Sequence, residues 1–155
     1  MHPDLQNRLN DIALLLIRGV LAVVFVFHGS QKLFGWFGGG GLSGTAGFME
    51  SIGIPLPMLS TLLAGSAEFF GGIVLLLGVG TRIAAVPMAF TMLVAIVTVH
   101  NSAFNAAAGG MEYALTLGVV LVALALTGPG RLTVAKLIPQ RSERRTGASI
   151  VQSSA

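Results

Sequence analysis

The sequence predicts an all-α fold, a transmembrane four-helix bundle with a short interfacial helix between spans 1 and 2. Three observations carry that expectation. The 155 residues are 54% hydrophobic and only 10% charged, with a mean hydropathy of +0.83, where a soluble domain has about 25% charged residues. The apolar residues gather into long runs, so they exceed what a large core needs. The run Ser60–Gly80 is long enough to span a bilayer yet holds one charge, Glu68, set among Gly65, Ser66, Ala67, Gly71 and Gly72. A charge at that depth costs about 2.5–3.5 kcal/mol on insertion scales, so it faces protein or water and has a partner. Small residues beside it let neighbouring helices approach closely.

Residues 1–11 are polar and read as an exposed cytoplasmic N-terminus. The first span is Ile12–Phe34. Arg18 interrupts its apolar run and no small-x-small cleavage site follows, so it reads as a retained helix and not a signal peptide. It carries Arg18, His28, Gln31 and Lys32. His28 and Lys32 share a face, and Arg18 lies within about 40° of Lys32 around the axis. The polar residues therefore form a stripe, although Arg18 and Lys32 also suit snorkelling from the two helix ends.

The connection 35–58 holds a flexible tetraglycine, Gly38–Gly41, which lacks the strand and GK[ST] of a phosphate loop. Ser43 is placed to cap a short helix over about Gly44–Ile52, with Phe48, Met49 and Ile52 as its apolar face lying flat at the interface. Trp36 and Phe37 suit the headgroup belt. The second span is Met58–Val79, and Gly80-Thr81-Arg82 forms a tight turn. The third is Ile83–His100, with Pro87 inside it. A neutral loop, 101–111, leads to the fourth, Glu112–Thr127, which Gly128-Pro129-Gly130 ends. Residues 12–138 form the membrane domain, and 139–155 a basic, polar, disordered cytoplasmic tail.

Lysine and arginine set the orientation. Arg8, Arg18, Arg82 and the tail cations fall on one side and Lys32 alone on the other, so both termini are expected in the cytoplasm of a cell whose inner or plasma membrane holds the chain. The net charge of +3 is read as this topology signal, not as a nucleic-acid site.

Cysteine is absent, which excludes disulfides, thiolate metal ligands, a CxxC redox pair, CxxCH haem attachment and a persulfide intermediate. At 1.5 Å per helical residue, His28, Lys32, His100 and Glu112 fall in the outer half, Glu68 near mid-membrane and Arg18 in the inner half. Turned inward, they make a polar pocket open to the outer side. Glu68, His28 and His100 are the candidates for catalysis, and Lys32, Glu112 and Arg18 for binding substrate. The competing reading is plain interhelical hydrogen bonding, worth roughly 0.6 kcal/mol per bond. A helix-start role favoured by the macrodipole competes at Glu112. No metal site is expected, because no HxxxH or ExxH pair shares a helix. A bis-histidine haem from His28 and His100 is disfavoured by their different depths.

Several segments resemble the DoxX family: RGVLAVVFVFHGSQKLFG, GFMESIGIP, AEFFGGIVLLLGVGTRIAA, His100, and GGMEYAL leading to GPGRLTVAKLI. Their order and spacing cover about residues 12–138. The resemblance implies a four-helix integral membrane protein. The family's founding association is with the membrane subunit of a thiosulfate:quinone oxidoreductase, and some relatives are linked to quinone or thiol stress. Its polar positions fall here on His28, Lys32, Glu68, His100 and Glu112. It implies no intrinsic cofactor, a quinone as ligand, and a partner redox protein. Without cysteine, sulfur transfer by a thiol of this chain is excluded. The expected function is therefore a component of a quinone-linked oxidoreductase. The alternative is a non-catalytic membrane scaffold that recruits a partner redox enzyme. Small-solute transport would predict a repeat between spans 1–2 and 3–4, and none is visible. Nothing in the sequence sets an oligomeric state.

Overall fold

The computed structural model describes residues 2–137. The expected disordered tail over 139–155 lies outside them. Among the described residues all regular structure is helical: α1 (Pro3–Phe34), α2 (Gly41–Ser51), α3 (Pro57–Leu77), α4 (Thr81–Thr98), α5 (Glu112–Thr127) and one turn, α6 (Val134–Leu137), with short 3-10 turns at Trp36–Gly38 and Ala106–Ala108. α1, α3 and α4 are long and apolar enough to cross a membrane, and the shorter apolar α5 completes the bundle.

The helix ends follow their residues. Pro3 and Pro57 open α1 and α3 in their first turns, where a missing N–H costs nothing. Gly78, at φ +71°, closes α3 by donating its N–H to Val74 and Leu75 carbonyls. α1 is 32 residues, ~48 Å against a ~30 Å hydrocarbon core. The segment read as a short polar N-terminus is thus an exposed helical extension of span 1. The expected turn 80–82 is shifted: Thr81 and Arg82 already belong to α4, and Gly78–Gly80 make the reversal.

The most extensive packing is α1 on α3 and α4 on α5, with α3 and α4 joining the two pairs. One core runs through the bundle, from Phe25 and Leu21 through Leu75, Met88 and Met92 to Leu117, Leu121 and Leu124. Large apolar side chains such as Val23, Leu76, Ile83 and Leu126 cover the outside, the surface a bilayer covers.

The connection after α1 differs from expectation in two ways. Gly39 is fitted, not slack. Gly39 lies against α1, where a Cβ would come within 2.5 Å of Gln31 Cα. Phe37, at φ +53°, stacks its ring on Phe27 at 4.9 Å. Secondly, α2 begins at Gly41, three residues before the expected start, with Gly40 as its N-cap and no side-chain cap. Ser43 lies inside it. α2 packs against α1 and α3 through buried Ala46, and the Thr61 hydroxyl donates to Met49 Sδ at 3.3 Å.

Candidate functional site

α1 and α3 run antiparallel along a seam of small residues. A Cβ on Gly29 would lie 2.7 Å from Phe69 Cα. One on Gly65 would lie 2.9 Å from Leu33 Cγ and 3.3 Å from Lys32 Cβ. One on Gly72 would lie 3.0 Å from Val26 N. Only glycine lets the helices come this close. The approach carries Lys32, near the end of α1, across to Glu68 in the middle of α3. Their Nζ and Oε2 are 2.5 Å apart. Glu68 is 3% exposed, while the Lys32 side chain keeps 27% of its surface. The carboxylate thus faces the bundle with a cation as partner, which offsets the cost of its depth.

The pair lies on the wall of a cavity of about 730 Å³, bounded by residues of α1, α2, α3, α4 and α5. His28, Lys32, Glu68 and His100 all line it. The rest of the wall is mostly apolar, with Phe25, Phe48, Met49, Phe90, Met92 and Leu117 prominent. The pocket expected as polar is instead an apolar chamber with a few polar groups. Its walls are largely helix flanks, and apolar side chains outnumber polar ones on them. The chamber also reaches the outside of the bundle between α3 and α4. Leu63 and Phe90 line it yet are 62% and 64% exposed. About one helical turn past Glu68 these two helices close up, with Gly71 against Met88.

Both imidazoles are oriented by acceptors. His100 follows the end of α4, and its Nδ1 lies 2.8 Å from the Gly109 carbonyl. A carbonyl only accepts, so Nδ1 carries the proton. His28 Nδ1 lies 3.2 Å from Gln31 Oε1, and the Gln31 amide donates through Nε2 to the Phe37 carbonyl at 3.4 Å. The Phe37 carbonyl thus fixes the amide, and the amide fixes His28 as the Nδ1–H form.

Glu112 and Arg18 stand apart from this group. The Glu112 carboxylate accepts the Ala106 N–H at 2.8 Å. With backbone bonds from Met111 and Glu112 to the Ala103 and Phe104 carbonyls, it folds the 101–111 loop and so holds Gly109 against His100. Arg18 lies at the opposite end of the bundle, fully buried. Its Nη2 donates to the Leu132 carbonyl at 2.6 Å, and Nε and Nη1 have no partner among the described residues. Gly78 packs directly on the guanidinium. Arg18 is thus a tie between α1, α3 and the segment after α5, not a snorkelling residue. Among the described residues no three His, Asp or Glu side chains gather as a metal-binding set.

Two residues escaped sequence reasoning. Tyr113, the chain's one tyrosine, lines the cavity from the first turn of α5. It adjoins Glu112, whose charge is the more visible signal in GGMEYAL. Gln31 was visible as one more polar residue of α1, but its part in orienting His28 depends on the Phe37 carbonyl, which folds back from the next segment.

The DoxX family model matches residues 13–101, from the start of the first span through His100. The chain belongs to the DoxX family. Among curated DoxX-like proteins, "Putative oxidoreductase CatD" of Bacillus subtilis is 34% identical over 123 residues, 79% of this chain and 84% of that protein. "Inner membrane protein YqjF" of Escherichia coli is 30% identical over 137 residues, 88% of this chain and 99% of that protein. "Inner membrane protein YphA" of Escherichia coli is 29% identical over 129 residues, 79% and 88% of the two chains. No solved structure matches the chain. The DoxX match includes α1 from residue 13 on, with α3 and α4, and so every one of His28, Lys32, Glu68 and His100.

Proposed function

We propose that this DoxX-family membrane protein binds a quinone-type ligand in the cavity beside Lys32 and Glu68, as the membrane component of an oxidoreductase system. The observation that carries the reading is the Lys32–Glu68 pair on the wall of an apolar chamber that reaches the lipid-facing side of α3 and α4. A ligand with an apolar body and a polar ring enters from the bilayer and places its oxygens at the pair. Lys32 donates to a ligand oxygen, Glu68 accepts or relays the proton, and His28 and His100 hold the ring from two other sides. Arg18 and Glu112 act by holding the fold and the 101–111 loop. The oxidoreductase label of CatD, a relative at 34% identity, agrees with this reading.

The test is Glu68→Gln, which keeps size and much of the hydrogen bonding. Quinone-coupled turnover in membranes falls at least tenfold while the membrane level stays near wild type. Unchanged turnover would transfer the function to a scaffold that recruits a redox partner.

The orientation completes the proposal: an inner or plasma membrane with both termini cytoplasmic and the cavity in the outer half. Arg8, Arg82, Arg131 and Lys136 lie at the end away from the cavity. A reporter active only outside the cytoplasm works when fused after Ala106 and is silent after Gly147. The opposite result reverses the orientation.

A further inference from the structure

The polar groups of the cavity are unevenly matched. His100 and His28 both spend their Nδ1 proton on a protein acceptor, Gly109 O and Gln31 Oε1. What each keeps for a ligand is the lone pair of Nε2, an acceptor. Three hydroxyls on the wall are already committed as donors: Ser60 to the Pro55 carbonyl, Thr91 to Met88 and Thr98 to Val94. Glu68 is an acceptor too. The Thr45 and Tyr113 hydroxyls also line the wall and can either donate or accept, so they discriminate little between the two redox forms. Lys32 is the one donor-only group on the wall, and it shares its protons with Glu68. A quinone offers only acceptor oxygens, so at Nε2 it would set lone pair against lone pair. A hydroquinone offers two O–H groups and can still accept from Lys32 through a hydroxyl oxygen.

We infer that the cavity is selective for the reduced, hydroxyl-bearing form of its ring ligand, a hydroquinone, because His28 and His100 are held as hydrogen-bond acceptors. This rests on the quinone-type reading above and adds which redox form the site prefers. Two additional hydrogen bonds of ordinary net strength amount to about tenfold or more in affinity.

The experiment is equilibrium binding to the purified full chain in nanodiscs under anaerobic conditions, with a short-chain ubiquinol and the matching ubiquinone. Ubiquinol binds about tenfold tighter. His28→Phe and His100→Phe each remove one acceptor, so each lowers the ubiquinol-to-ubiquinone ratio severalfold. A variant that merely loosened the fold would weaken both forms together and leave the ratio unchanged, which would overturn the role given to the histidines. Equal binding of both forms by the wild type, or tighter ubiquinone, overturns the selectivity and leaves the quinone-type reading standing. Binding of neither form overturns that reading as well.

Discussion

The α1–α3 seam holds a cation at each end, half-buried Lys32 and buried Arg18, and the two ends differ. At one, Lys32 meets Glu68 at 2.5 Å beside an open chamber. At the other, Arg18 is fully buried, bonded to one carbonyl, with Gly78 pressed against it. Charge at membrane depth is therefore not by itself a sign of a site. The cation beside a carboxylate and a cavity can meet a ligand. The cation packed against backbone can only hold helices together. Space, not charge, separates the two.

This comparison breaks first at Lys32. Lys32→Met leaves the Glu68 carboxylate buried without its partner, at a cost of about 3–5 kcal/mol, and is expected to lower thermal stability in detergent sharply. Little change would mean that Glu68 is stabilised by something other than Lys32. A smaller effect is expected at Arg18. Arg18→Met loses the bond to Leu132 but also removes two buried donor atoms that have no partner among the described residues. Replacing a buried charge by an apolar side chain of similar length is often close to neutral, so its stability should stay within about 1 kcal/mol of wild type. A loss as large as that at Lys32 would give the two ends the same character.

Much of the fold was legible because membrane helices announce themselves by length and hydropathy. The fourth span, Glu112–Thr127, has the expected bounds, since a loop of small residues precedes it and Gly-Pro-Gly follows. Glu68 was legible as an inward-facing charge, since a lone carboxylate among glycines has few other places to go. The rest depended on contacts between distant segments. Ser43 looked like a cap, but α2 starts earlier, at Gly41, with Gly40 as its N-cap. Gly39 looked flexible because its close packing on Gln31 is a tertiary fact. Arg18 looked like a snorkelling end residue, because the Leu132 carbonyl that receives it lies 114 residues later. The chamber's apolar walls were hidden because attention to charges passes over Phe90 and Leu63, which decide where it opens.

The central claim is that the cavity beside Lys32 and Glu68 holds a lipid-soluble ring ligand. The most direct measurement is mass spectrometry of the lipid-soluble species that co-purify with the chain in mild detergent, from wild type and from Glu68→Gln prepared side by side. The account predicts quinone or quinol at near one per chain in the wild type and at least a fivefold loss in Glu68→Gln. Equal quinone in both preparations, or none in a folded wild type that also fails to take it up on addition, would contradict it.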